Sequence, residues 1–158
     1  MGEADLVIWR AVAADEAAVR ACVVAAYSHY IARRGVPPGP MRQDYAALIA
    51  QGLVYVLVAT DGIRGLVVTT PHEGNRFLAN IAVAPCDQGQ GLGRRLLGFV
   101  GERARAEGRD AITPYTNAVT TEKIALYRRL GFVETARRAE HGFRRVYMRK
   151  MLTAGAAS

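Results

Sequence analysis

The stretch Val83-Ala84-Pro85-Cys86-Asp87-Gln88-Gly89-Gln90-Gly91-Leu92-Gly93-Arg94-Arg95 constrains this chain more than any other. An apolar, strand-like run from Phe77 to Val83 precedes it, and Pro85 ends that run. Beyond it, Leu92, Leu96, Leu97 and Val100 recur at helical spacing. The chain therefore turns from strand into helix across glycines, which accept positive φ and let a ligand approach the backbone closely. A helix start presents N–H groups with no intrahelical partner and the positive end of the peptide dipoles. Together these features suit a phosphate or pyrophosphate. Gly89, Gly91 and Gly93 fall on alternate positions. That spacing does not fit the G-x-G-x-x-G of dinucleotide-binding turns, although Asp110 lies about 20 residues on, where the acidic ribose ligand would stand. A P-loop is excluded because no Gly-Lys-Ser/Thr follows.

At 158 residues the chain can bury one real core but not two comfortable ones. Its 51% hydrophobic and 22% charged content is that of a globular protein. No apolar run nears the roughly 20 residues of a membrane span, and no basic-then-apolar leader opens the chain. Cys22 and Cys86 lack metal-ligand spacing and read as free thiols of a reducing, cytoplasmic compartment, so neither metal nor membrane is expected. The net charge of +7 calls for anionic partners. Its arginine doublets (Arg33-Arg34, Arg94-Arg95, Arg128-Arg129, Arg137-Arg138, Arg144-Arg145) are scattered over separate elements without an aromatic-rich or zinc motif, which argues against nucleic acid.

Taken in order, Leu6–Trp9 reads as a strand. A helix follows, led by Asp15 and Glu16, with Ala18, Val19, Cys22, Val23, Ala26, Tyr27 and Tyr30 on its apolar face and Arg33-Arg34-Gly35 at its end. Val36-Pro37-Pro38-Gly39-Pro40-Met41 is a stiff connector, and Gln43–Ala50 a second short helix. Leu53–Ala59 and Ile63–Thr70 form a hairpin about Thr60-Asp61-Gly62; Pro71–Asn75 is the next turn. The helix after the glycine turn runs to about Glu107 and is capped by Gly108. Ala111–Thr116 is a strand parallel to Phe77–Val83, since a helix connects the two. Thr120 or Thr121 opens the last helix, Gly131 stops it, and Phe132–Glu140 and Phe143–Leu152 close the chain as a hairpin about His141-Gly142. Residues 1–152 are expected to form one domain, with 153–158 a frayed tail.

Gln88, Gly91 and Gly93, directly after a Val-x-Pro strand end, resemble the acetyl-CoA pyrophosphate loop of the GNAT family of N-acyltransferases. Tyr127-Arg128-Arg129-Leu130-Gly131-Phe132 resembles that family's second signature, a helical Tyr followed by Leu-Gly-Phe, at the expected distance downstream. The element order βααβββαβαββ is the GNAT order, so the resemblance covers nearly the whole chain. It implies an α/β (α+β) GNAT acyl-CoA acyltransferase fold, a mixed, mostly antiparallel sheet of about seven strands flanked by four helices. Many members carry Asn seven residues before the Tyr; here Thr120 stands there and Asn117 three residues earlier.

The resemblance implies an enzyme that moves an acetyl group from acetyl-CoA to a primary amine of a small molecule or peptide, by direct attack in a ternary complex. In that reading pantetheine pairs with the backbone of Ile81, Ala82 and Val83, and an N–H there, at Ile81, polarises the thioester carbonyl. Amides of Gln88, Gly89, Gln90, Gly91, Leu92 and Gly93, with the charge of Arg94, hold the pyrophosphate; Asn117 and Thr120 are further cofactor contacts. Tyr127 donates to the departing sulfur, since a phenol of pKa ~10 stays protonated at neutral pH. Tyr30, Glu73 and Asn80 line the acceptor side. Family members often carry the general base on the strand before the glycine turn, where this chain has Ala79 and Asn80. His72 or Glu73 acting through water, or Asn80 ordering a water, are the alternatives. A coenzyme-A-binding sensor or partner-binding module of the same fold is the competing function. The apolar-rich final hairpin leaves room for a homodimer.

Overall fold

The computed structural model describes residues 6–28, 41, 43–118, 120–140 and 142–152. Tyr30, the helix end expected at Arg33–Gly35, the connector up to Pro40, His141 and the tail 153–158 lie outside the described residues. The elements are β1 (Val7–Arg10), α1 (Glu16–Tyr27), α2 (Tyr45–Ala50), β2 (Val54–Ala59), β3 (Gly62–His72), β4 (Asn75–Val83), α3 (Leu92–Ala106), β5 (Ala111–Asn117), α4 (Thr121–Arg129), β6 (Val133–Glu140) and β7 (Phe143–Met151). Seven strands join in the order β1-β2-β3-β4-β5-β7-β6. This is the mixed α/β arrangement expected from the sequence, with four α-helices among the described residues.

One turn is tighter than expected. Pro71–Asn75 reads as a turn, yet β3 continues through His72 and β4 opens at Asn75. Gly74, at φ 72°, supplies the left-handed backbone that a two-residue hairpin turn requires. Pro71 falls near the strand end, where its missing N–H costs little.

The chain packs as two compact units, Met1–Thr69 with Asn80–Leu97, and Thr70–Ala79 with Gly98–Ser158. In the first, α1 and α2 lay Val19, Val23, Tyr45 and Ile49 against Val54, Val56, Leu66 and Val68 of the sheet. The Asp44 carboxylate accepts the Ala47 N–H at 3.1 Å and so starts α2. Nearly all of β2 is buried, which is why it reads as an unbroken apolar run rather than an alternating one. Gly65 of β3 permits a close approach: a Cβ there would lie 3.0 Å from the Ala82 carbonyl and 3.2 Å from the Leu96 side chain. The apolar stripe of α3 thus seats directly on the strand.

In the second unit β4 pairs with β5 in parallel, from Asn75↔Ala111 to Leu78↔Pro114. The ladder ends where Pro114 has no N–H to give. Strand β5 pairs antiparallel with β7, and β7 with β6. Leu78, Ile112, Val146 and Met148 are buried on one side of these strands. Buried Arg76 reaches the Glu107 carboxylate with contacts of 2.8 and 2.9 Å, and Arg109 reaches it at 2.7 Å. Burial pushes the Glu107 pKa up, but Arg109 and Arg76 outweigh it and hold the group below its ordinary range.

Because its folded pKa is depressed, Glu107 stabilises the fold fully above the unfolded value of ~4.3, and that contribution is lost as pH falls through the folded value. Glu107→Gln should cost about 1–3 kcal/mol at pH 7 by leaving Arg76 without its carboxylate. Urea titrations of both proteins should show this gap narrowing below pH ~4.

Candidate functional site

The glycine turn lies in the first unit. Strand β4 ends at Val83, Pro85–Asp87 makes one 3-10 turn, and α3 begins at Leu92. Gly89 and Gly91 sit at φ 84° and 82°, a conformation L side chains rarely adopt. A Cβ at either would meet nothing within 4 Å. Backbone conformation, not crowding, therefore demands glycine here, and the main chain lies bare toward solvent. The Arg95 N–H bonds to the Gly91 carbonyl at 3.0 Å, the first turn of α3. Gly93 is not part of the turn, as its spacing suggested; it lies inside the helix, one residue past Leu92.

Two contacts hold the turn. The Asp87 carboxylate, 3% exposed, takes Arg64 of β3 at 2.5 Å, and the Ala84 N–H bonds to the Arg64 carbonyl at 2.9 Å. Arg64 also pairs with Asp61 at 2.7 Å. Gln88, though exposed, bonds back to the strand end: its side-chain amide donates to the Val83 carbonyl at 3.0 Å, and its backbone N–H to the Pro85 carbonyl at 3.3 Å. Gln90 is exposed and Leu92 buried. Of the arginine doublet, Arg94 is exposed, while Arg95 donates to the Leu6 carbonyl at 2.9 Å.

Ile81 and Ala82 of β4 are buried, and Val83 partly so. The Tyr27 hydroxyl lies 3.0 Å from the Ile81 carbonyl and 2.5 Å from Asn80 Oδ1, both of which accept from it. Asn80 in turn donates to the Tyr45 hydroxyl at 3.2 Å. Burial pushes the Tyr45 phenol up to about 12, against the smaller opposing effects of Asn80 and Arg20. Asn80, read from the sequence as an acceptor-side residue, is thus buried between two tyrosine hydroxyls.

The remaining residues lie in the second unit. Tyr127, on α4, is buried, and its ring centre stands 5.3 Å from that of Phe132. Burial drives its phenol well above the ordinary value of 10. Thr120, also buried, donates its hydroxyl to the Asn117 carbonyl at 2.6 Å and accepts from Thr116 at 2.6 Å. It ties the end of β5 to the start of α4 rather than capping the helix amides. Asn117 closes β5 opposite Arg145 of β7. Glu73 is exposed in the β3–β4 turn, and the ring of exposed His72 lies 5.7 Å from that of Phe77.

The model of the acetyltransferase (GNAT) domain matches residues 50–134, and the chain belongs to the GNAT family. It is 32% identical over 130 residues to the mycothiol acetyltransferase of Arthrobacter sp. strain FB24, a match covering 75% of this chain and 39% of that protein. The chain thus spans about two fifths of the length of that curated relative. A GNAT-family protein from Desulfovibrio desulfuricans is 25% identical with a TM-score of 0.76, over 94% of this chain and 99% of that one. The PaiA N-acetyltransferase of Thermoplasma acidophilum, solved with coenzyme A, shares the fold at 12% identity, with a TM-score of 0.78 over 92% and 98% of the two chains.

Sequence reasoning missed Arg64, Asp87 and Tyr45. A carboxylate just before a glycine run was visible as a signal, but its partner on β3 depends on strand packing. Asp87→Ala should lower the midpoint of thermal unfolding by several degrees, about 1–2 kcal/mol, through loss of the ion pair. Circular dichroism melts check this; an unchanged midpoint would deny the clamp.

Proposed function

We propose that this chain is an acyl-CoA-dependent N-acyltransferase that uses acetyl-CoA and a primary amine. The observation that carries the reading is the bare main chain of Gly89 and Gly91 at the mouth of α3, with Arg94 exposed in the first turn of that helix. Acetyl-CoA would supply an activated thioester and a polyphosphate handle. Gly89, Gln90, Gly91, Leu92 and Gly93 offer backbone N–H groups to the pyrophosphate, and Arg94 adds charge. Gln88, whose N–H is already spent on Pro85, serves by closing the turn on Val83. The strand end Ile81–Val83 lies beyond the last β4–β5 ladder pair, Leu78↔Pro114, which suits strand-like pairing with pantetheine. Asn117 and Thr120 shape the start of α4 for the cofactor.

Tyr127 is the proposed donor to the leaving sulfur. With its phenol above 10 and a thiolate near ~8.5, full proton transfer is uphill. The hydroxyl therefore stabilises the departing thiolate as a hydrogen-bond donor, and the proton comes from the attacking amine. Glu73 or His72, acting through water, would deliver that amine unprotonated, with Tyr30 on the acceptor side. Residues 1–152 act as one domain in this reading, in the cytoplasm, as a monomer or homodimer.

A coenzyme-A sensor is the second reading, favoured by one observation: Asn80, where a base is sought, is committed to Tyr27 and Tyr45. Thiol release from acetyl-CoA across a panel of amines separates the two. Gly91→Val should abolish the rise in melting temperature caused by coenzyme A. Tyr127→Phe should keep that rise and fold normally, yet lower kcat about a hundredfold. Full activity in Tyr127→Phe would remove the phenol from the chemistry.

A further inference from the structure

The second unit carries an organised face that the proposed chemistry does not use. Strand pairing places Phe77 of β4, Tyr115 of β5 and Tyr147 of β7 on one side of the sheet, through Phe77↔Thr113 and Tyr115↔Tyr147. All three rings are partly exposed and touch in a row, with centroids 5.3 and 5.5 Å apart. Two guanidiniums lie over them, Arg145 at 4.5 Å from the Tyr115 ring and Arg138 at 5.0 Å from that of Tyr147. The register Arg138↔Arg145 puts both on that side.

The one carboxylate in the cluster among the described residues, Glu140, is already engaged. It accepts the Tyr147 hydroxyl and lies 3.4 Å from Arg145. Arg138 is exposed and makes no ion pair within 4.0 Å among the described residues, although, after the Tyr147 hydroxyl and with Arg145, its charge helps to hold the Glu140 carboxyl below its ordinary range. The face thus pairs a row of aromatic rings, stacked at 29° and tilted at 42° to one another, with one positive charge in excess. A cationic ligand would meet two guanidiniums. A run of nucleic-acid phosphates would meet Glu140, and the row is only three rings long, whereas a single-strand platform stacks successive bases.

We propose that this face binds the end of the amine acceptor remote from its nitrogen, and that this end is a flat conjugated ring bearing a carboxylate. The ring lies on the Phe77–Tyr115–Tyr147 row, and the carboxylate takes the open guanidinium of Arg138. The word acceptor rests on the acyl-transfer reading; the binding itself does not.

Calorimetric titration of the full chain with para-(aminomethyl)benzoate tests this, against para-(aminomethyl)benzamide and the saturated-ring acid as controls. The benzoate should bind about tenfold tighter than either control, and Arg138→Gln should remove its advantage over the amide. Arg138 is exposed, so that variant should fold; Tyr147→Phe should bind with little change. The proposal is overturned by equal binding of acid and amide, by an advantage that survives in Arg138→Gln, by no benzoate heat, or by displacement of the benzoate with an oligothymidylate. Coenzyme A titrated into the same proteins keeps the readings apart: its failure to bind would sink the transferase reading while leaving the benzoate result standing.

Discussion

The Arg64–Asp87 ion pair is the contact on which the candidate cofactor turn depends. Left-handed glycines are cheap to place but entropically costly to hold, because glycine is free to leave that conformation. Asp87, buried and bonded to a β3 arginine, fixes the entrance of the turn, and the first turn of α3 fixes its exit. Between these anchors the main chain of Gly89 to Gly91 is exposed. An anion binding there has little ordering left to do.

The tyrosines divide by what their hydroxyls meet. Tyr27 and Tyr45 are satisfied within the first unit through Asn80 and the Ile81 carbonyl, and they brace β4 just before the turn. Tyr147 is satisfied by Glu140 on the sheet face. Tyr127 is as buried as Tyr27 and Tyr45. Its ring is held by Phe132 rather than by a bond to its hydroxyl, which leaves that hydroxyl to a ligand in the proposed chemistry.

Much of this was legible in the chain. The strand–glycine–helix passage, the Tyr-Leu-Gly-Phe helix end and the alternation of elements are local signals, carried by period and punctuation. The fold followed from them element by element, down to the parallel β4–β5 pair. What was hidden depends on which strands become neighbours. Arg64 finds Asp87, Asn80 finds two tyrosines, and the arginines of the last hairpin find the rings of β5 and β7 only after the sheet has assembled. The doublets Arg137-Arg138 and Arg144-Arg145 read as scattered for that reason. Gly93 misled in the other direction: it continues the glycine spacing, but α3 has already begun at Leu92.

The central claim is that the backbone from Gly89 to Arg94 grips the diphosphate of coenzyme A. Amide-resolved nuclear magnetic resonance of the labelled protein during titration with coenzyme A tests it most directly. The account predicts that the largest shifts, with slowed hydrogen exchange, fall on the amides of Gly89, Gly91 and Gly93. Saturable shifts centred elsewhere in the chain, with these amides unmoved, would contradict it.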